Sequence, residues 1–242
     1  QDGMGHGYVR DAGGNYQTID FPGTSSSTAW AIGDDGTIVG NGSVSQVEID
    51  GFVRKPDGTV TAIIPPSAAN TIPIAINQRG RIAGYFIDQH SRTHGFLRKP
   101  GGKIVVFDVP GATSLSVTGM NGKDEIVGVY QSSTDSQYHS FLRRSDGTIT
   151  SFDPSGSGIA TATNSIAMSI NYRGEIVGSF GDANDTAHGY VREPDGSFVQ
   201  LDAPGASTAG TVATAIAADG KIIGYTANEG GFRINRKAWK GE

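Results

Sequence analysis

Four of the five histidines in this chain recur in one setting. His6, His94, His139 and His188 each precede a Gly or Ser and then an aromatic residue. Each is followed fourteen positions later by an aspartate: Asp20, Asp108, Asp153 and Asp202. An imidazole and a carboxylate held together can work as an acid–base pair, as part of a metal site, or as a structural hydrogen bond. A metal needs three or four ligands converging at about 2–2.3 Å. One His and one Asp per segment, spaced along the whole chain, fit a tie repeated in each segment, because buried polar groups need partners. In the segment that begins near residue 50 both members are missing together, with Asp50 in place of the His and Ile64 in place of the Asp. Paired loss implies that the two residues touch.

The remaining acid–base candidates are His90, Glu48, Asp50 and Asp135, all outside the repeated pairs. Glycoside hydrolysis would need two carboxylates about 5–9.5 Å apart. No Gly-x-Ser-x-Gly elbow, phosphate loop or dinucleotide fingerprint occurs. Asp182, Asn184 and Asp185 are oxygen donors that could hold calcium, but the EF-hand spacing is absent and a polar surface loop accounts for them. No metal or cofactor is therefore expected. The aromatic residues offer different chemistry. Trp30, Tyr85, Tyr130, Tyr138 and Tyr225 could stack on a sugar or an apolar ligand, gaining contact area at low entropy cost. Trp30 stands out because the equivalent repeat positions are Ile74, Thr118, Met168 and Thr214.

What must position these residues is a repeat. The residue after the histidine falls at Gly7, Gly51, Gly95, Ser140 and Gly189, with a degenerate copy at Gly231. A period of roughly 40–45 residues made of short alternating segments broken by Gly belongs to a β-propeller blade rather than a helical solenoid. Each repeat holds four strands. The first includes 28–32, 72–76, 116–120, 166–170 or 212–216. A tight turn leads to the second, around 38–42, 82–86, 126–130, 176–180 or 222–226. The third is the His-Gly-aromatic piece, and the fourth ends in Phe-Asp or its equivalent. None of the first strands (TAWAI, IPIAI, SVTGM, IAMSI and VATAI) carries a charge, so a channel lined by them would have no acid or base. Arg10, Arg54, Arg98, Arg143 and Arg192 recur on the third strand and read as ties at the surface or between blades.

The run from His94-Gly95-Phe96-Leu97-Arg98 through Phe107-Asp108-Val109-Pro110-Gly111-Ala112 resembles the extracellular HAF-type repeat of bacterial secreted proteins. So do the Ile-Asn turn and the Gly-x-Ile-Val-Gly strand, as in Ile170-Asn171 and Gly174-Glu175-Ile176-Val177-Gly178. The resemblance covers nearly the whole chain. It implies a propeller and an extracellular or cell-surface location, and it implies no activity. The histidines also resemble the structural ties of WD-repeat blades, without their Trp-Asp ending.

The expected fold is all-β: a single domain over 1–242, forming a five-bladed propeller of four-stranded antiparallel blades. Repeats begin near 6, 50, 94, 139 and 188, and a degenerate segment covers 230–242. The hairpin at 6–20 has no first and second strands before it, so it is expected to close the ring on the last blade. The connections at 43–49, 87–93, 131–138 and 181–187 read as longer than the other turns and define the face where a ligand is expected. Glycine, at 36 of 242 residues, is about twice its usual share of ~7% and sits at turns and strand ends. The net charge of −5 and the absence of a basic stripe argue against nucleic acid. No apolar run is long enough to span a membrane, and with no cysteine no disulfide holds the fold. The expected function is a monomeric, lectin-like binding module for a glycan or other small ligand. The alternatives are a lyase or hydrolase with loop-borne groups, and a structural propeller that binds a protein partner.

Overall fold

The computed structural model of the chain describes residues 5–43, 49–156, 159, 162–203, 210–226 and 230–235. They are all strands and turns, and they fall into two compact units, 1–108 and 109–242.

In the first unit, β1 (Gly7–Arg10) and β2 (Tyr16–Ile19) form an isolated hairpin. Then come β3 (Ser27–Ile32), β4 (Ile38–Ser43), β5 (Ile49–Arg54) and β6 (Val60–Ile63), paired antiparallel in chain order. The next array repeats the plan with β7 (Ala68–Ile76), β8 (Ile82–Asp88), β9 (Thr93–Arg98) and β10 (Ile104–Phe107). A single parallel bridge, Ile49 to Asn70, joins the two arrays into one sheet, and the Ile49 N–H also donates to Asn70 Oδ1 at 3.1 Å. The bridge sits at the repeat that lacks the His–Asp pair, where the start of β5 is tied to β7 by Asn70.

In the second unit, β11 (Ala112–Met120), β12 (Ile126–Ser132), β13 (Tyr138–Arg143) and β14 (Ile149–Phe152) make one four-stranded antiparallel sheet. The strands β15 (Thr163–Ile170), β16 (Ile176–Gly181), β17 (Ala187–Arg192) and β18 (Phe198–Leu201) make another. The last sheet has three strands, β19 (Thr211–Ile216), β20 (Ile222–Thr226) and β21 (Gly230–Ile234).

The same lock holds each four-strand array and the last sheet, but not the β1–β2 hairpin. A glycine on the second strand (Gly40, Gly84, Gly128, Gly178 or Gly224) faces an aromatic residue on the third (Phe52, Phe96, Phe141, Tyr190 or Phe232). The ring lies over the glycine so closely that an added Cβ would come within 2.6–2.9 Å of it and would collide with a first-strand carbonyl oxygen. The Gly of Ile-Val-Gly is thus a close-approach glycine, and its role is steric. In the fourth copy the ring is Tyr190, whose hydroxyl hydrogen-bonds Ser140 Oγ at 3.1 Å; Ser140 Oγ in turn meets Ser165 Oγ at 2.8 Å. Ser140 replaces the glycine of the other repeats, and the two departures satisfy each other.

This lock corrects the expected closure. The third-strand place expected for residues 6–20 is taken by β21: β20 pairs with β21, Phe232 takes the aromatic position over Gly224, and among the described residues β1 pairs only with β2. A strand a few residues along the chain closes a short loop, which costs less entropy than recruiting one from a distant segment. A single ring residue in register outweighs the missing His, Arg and Asp. The second-to-third connections also differ from expectation. Turns 89–92, 133–137 and 182–186 are as short as 77–81, 121–125 and 171–175, because β8, β12 and β16 run further than the alternation indicated.

Asparagine side chains close the turns between first and second strands. Asn171 Oδ1 accepts from the N–H groups of Arg173 (3.0 Å) and Glu175 (3.1 Å), while its amide donates to Glu175 Oε2 (2.6 Å) and to the Ala217 carbonyl of the next sheet (3.2 Å). Asn121 repeats the arrangement with Lys123, Glu125 and the Asn171 carbonyl. One residue type therefore forms the turn and links neighbouring sheets.

Candidate functional site

The four His–Asp pairs are in contact. Nδ1 of His6, His94, His139 and His188 lies 2.7, 2.6, 2.7 and 2.9 Å from a carboxylate oxygen of Asp20, Asp108, Asp153 and Asp202. Three of these rings have a second carboxylate on Nε2: Asp88 for His94 at 3.4 Å, Asp135 for His139 at 3.2 Å and Asp182 for His188 at 3.4 Å. Each of the three also packs on an aromatic ring of the second strand, Phe86, Tyr130 or Phe180. The second aspartate escaped the reading of the sequence, although an acidic residue four or six positions before the His was a usable signal.

These aspartates serve the turns. Asp88 is buried, and it accepts from the backbone N–H groups of His90 and Arg92 and from the Arg92 guanidinium. The Arg92 N–H bond is the main reason its carboxyl is held far below the usual 3.8. Asp135 and Asp182 are held low chiefly by the N–H groups of Gln137 and Thr186. For His139 and His188, burial disfavours the imidazolium, but Asp153 with Asp135, and Asp202 with Asp182, outweigh it and raise both rings above 6.5.

These shifts fix the pH dependence of stability. A histidine whose folded pKa is raised contributes fully below its unfolded value and loses that contribution as pH rises through the folded value. A depressed aspartate contributes above its unfolded value and loses that contribution as pH falls. Thermal stability is expected to peak near pH 5, between the two ranges, and to decline toward both about pH 8 and about pH 3. In a His139→Gln/His188→Gln variant the alkaline decline flattens. An unchanged alkaline slope in that variant, followed by calorimetry, would remove the histidines as its cause.

The loop-borne acid–base candidates fall on separate elements. His90 stands exposed on the turn 89–92, Asp50 is half-buried on β5 opposite Gly42, and Asp135 lies in the second unit, engaged with His139. Glu48 lies outside the described residues. No group of three or more His, Cys, Asp or Glu that could hold a metal occurs among the described residues, and Asp182 caps its own turn through the N–H groups of Asn184 and Thr186.

The aromatic candidates also separate. Tyr130 is corrected as a ligand platform, since it is 8% exposed and its hydroxyl is bonded to Ser151 at 2.8 Å. Tyr85 is half-buried on β8, opposite Ile72 and Gly95. Tyr138 and Tyr225 are exposed on β13 and β20. Trp30 differs from all of these. Every first strand carries a bulge, at Trp30, Ile74, Thr118, Met168 and Thr214: Ala29 pairs with Gly40 and Ala31 with Val39, leaving Trp30 unpaired. A bulge re-aims the side chain of the extra residue. Here it leaves the indole half-exposed, with its N–H donated to Asn41 Oδ1.

Trp30 lines a cavity of about 300 Å³ in the first unit, together with Tyr8, Val9 and Arg10 of β1, Ile19 of β2, Ala29, Ala31 and Ile32 of β3, and Ile38 of β4. A second chamber of about 500 Å³, lined by Gly5, His6, Gly7 and Ser27 among others, shares Tyr8 and Ala29 with it. Together they form a groove between β1 and β3. The Trp30 chamber lies beside turns 11–15 and 33–37, at the other end of the strands from the second-to-third connections where a ligand was expected. Tyr8 and Arg10 were missed as lining residues because their repeat equivalents are structural. Tyr8 is 66% exposed where Phe52, Phe96, Phe141 and Tyr190 are fully buried. Among the described residues β1 pairs only with β2, so no second strand covers its ring.

No helix of the described residues is long and apolar enough to cross a membrane. No family model matches the chain, and no curated protein matches it. Among solved structures it is similar to TolB from Acinetobacter baumannii, with a TM-score of 0.57 and 16% identity over 79% of this chain and 46% of that one. It is similar to a prolyl endopeptidase, with a TM-score of 0.56 and 14% identity over 92% of this chain and 38% of that one. It is also similar to an arginine-to-alanine triple mutant of AofleA from Arthrobotrys oligospora, with a TM-score of 0.50 and 15% identity over 93% and 77%. The chain thus spans about half the length of TolB and less of the prolyl endopeptidase. At these identities the likeness is one of fold, and with its antiparallel four-stranded sheets the chain is an all-β, β-propeller-like protein.

Proposed function

We propose that this chain is a propeller-type binding module that holds a carbohydrate in the groove between β1 and β3, with the Trp30 indole as its stacking surface. The observation that carries the reading is Trp30 itself: a large apolar ring, placed by a bulge on the wall of a cavity of about 300 Å³ and fixed through Asn41. An immobilised aromatic face at a concave site gives a sugar contact area at little ordering cost. Further parts of the proposal are a closed ring of five blades, one per repeat, and a bacterial, secreted or cell-surface setting. Five copies of the Gly–aromatic lock support the first, and the HAF-type resemblance supports the second.

The enzymatic alternative has less behind it, because His90 and Asp50 stand on separate elements and Asp135 is engaged by the Gln137 N–H and by His139. The test is a glycan panel screened against the parent chain and Trp30→Ala. Loss of the stacking ring should weaken binding by roughly tenfold to a hundredfold, with the circular dichroism spectrum unchanged. No binding by the parent across the panel would sink the carbohydrate reading. Equal binding by parent and variant would move the site away from this groove.

A further inference from the structure

We infer that the sugar taken by this groove is acidic and carries a carboxylate that Arg10 receives, an inference that rests on the reading of the Trp30 cavity as a glycan site. The third strands β1, β5, β9, β13 and β17 carry an arginine at this position, Ile234 takes it in β21, and Arg98, Arg143 and Arg192 are drawn into packing. Arg143 is 7% exposed. The Arg192 guanidinium lies over the Phe152 ring at 4.9 Å and near Phe198 at 6.0 Å, and burial pulls its pKa down, as it does for Arg98. Arg10 is the exposed copy. Its guanidinium rests on the face of Tyr16 at 5.9 Å, and no carboxylate among the described residues forms an ion pair with it. It also lines the same cavity as Trp30.

A guanidinium is a planar fork that matches a carboxylate bidentately, and stacking on an aromatic ring pre-orients it. An exposed indole beside it offers a surface for the C–H face of a pyranose. The two together recognise a ring that is apolar on one face and anionic at its edge, which describes a uronic acid. The adjoining chamber that shares Tyr8 gives room for a second residue, so the class is an acidic oligosaccharide.

The discriminating probe is an oligogalacturonate measured beside its methyl ester, which removes the charge and adds one methyl per carboxyl, with a sulfated oligosaccharide as the third arm. Binding is read by calorimetry for the parent chain, Arg10→Gln and Arg10→Lys. Charge-assisted hydrogen bonds predict that the free acid binds the parent roughly tenfold to a hundredfold more tightly than the ester. Arg10→Gln should erase that preference, and Arg10→Lys should keep part of it. Equal binding of acid and ester by the parent would overturn the inference and leave the glycan site standing, as would a preference that survives Arg10→Gln. Tighter binding of the sulfated sugar would overturn the carboxylate assignment. No binding in any arm, together with a silent neutral-glycan panel, would remove the glycan reading itself.

Discussion

Gly128→Ala is expected to destabilise the second unit by about 3 kcal/mol or more, which places it among the severe single substitutions. The added methyl would meet the Ser116 carbonyl of β11 on one side and the Phe141 ring, at 2.6 Å, on the other. The ring could swing away, but the carbonyl belongs to the β11–β12 ladder and cannot move without breaking its pairing. Trimming the ring in a Gly128→Ala/Phe141→Ala pair should therefore fail to restore stability. Since a domain holds only about 5–15 kcal/mol in total, a large share of the stability would be lost. The control is Gly101→Ala, at a turn where an added Cβ meets nothing within 4 Å; it should fall within about 0.5 kcal/mol of the parent. Urea midpoints compare the two. A Gly128→Ala midpoint equal to the parent's would mean that the Ser116 carbonyl does not close on the glycine.

Asn171→Ala is expected to cost about 2–4 kcal/mol. The substitution removes two acceptor bonds that shape the turn, the donor bond to the Ala217 carbonyl, and the amide facing the Glu175 carboxylate, which is 1% exposed. A buried carboxylate that loses a donor carries most of the cost, so the loss should shrink when Glu175 is replaced as well. A double-mutant cycle with Glu175→Gln, followed by denaturant unfolding, should show a coupling of about 1 kcal/mol or more. Strict additivity would mean that the two side chains do not act together and that the turn alone sets the cost.

Much of the architecture was legible in the chain because the repeat sets register as well as strand content. The fourteen-residue spacing between His94 and Asp108 is a statement about a hairpin, and the two side chains meet across it. The alternation along 126–130 and 176–180 placed β12 and β16, and the Asn171–Gly174 turn placed the corner between β15 and β16. Strand ends were less legible. The run to Asp88 in β8 depends on a carboxylate that gathers the N–H groups of its own turn, and a hydrophobic pattern does not register that. The partner of β20 was also hidden. Two segments offered a Gly-aromatic strand, and their anchors did not reveal that chain proximity and the Phe232 ring would outweigh the more complete His–Arg–Asp set.

The candidate site divides along the same line. Trp30 was visible as an outlier because a tryptophan stood where the other repeats carry Ile74, Thr118, Met168 and Thr214. Its setting was not, since Tyr8 and Arg10 look like their buried counterparts. The sequence alone determined the strand plan and the His–Asp ties, because each rests on contacts a fixed number of residues apart within one repeat. Only the tertiary structure decided which copies of a repeated residue are covered and which are bare. Exposure is set by the neighbouring strand, and β1 has β2 on one side and a cavity shared with Trp30 beside it.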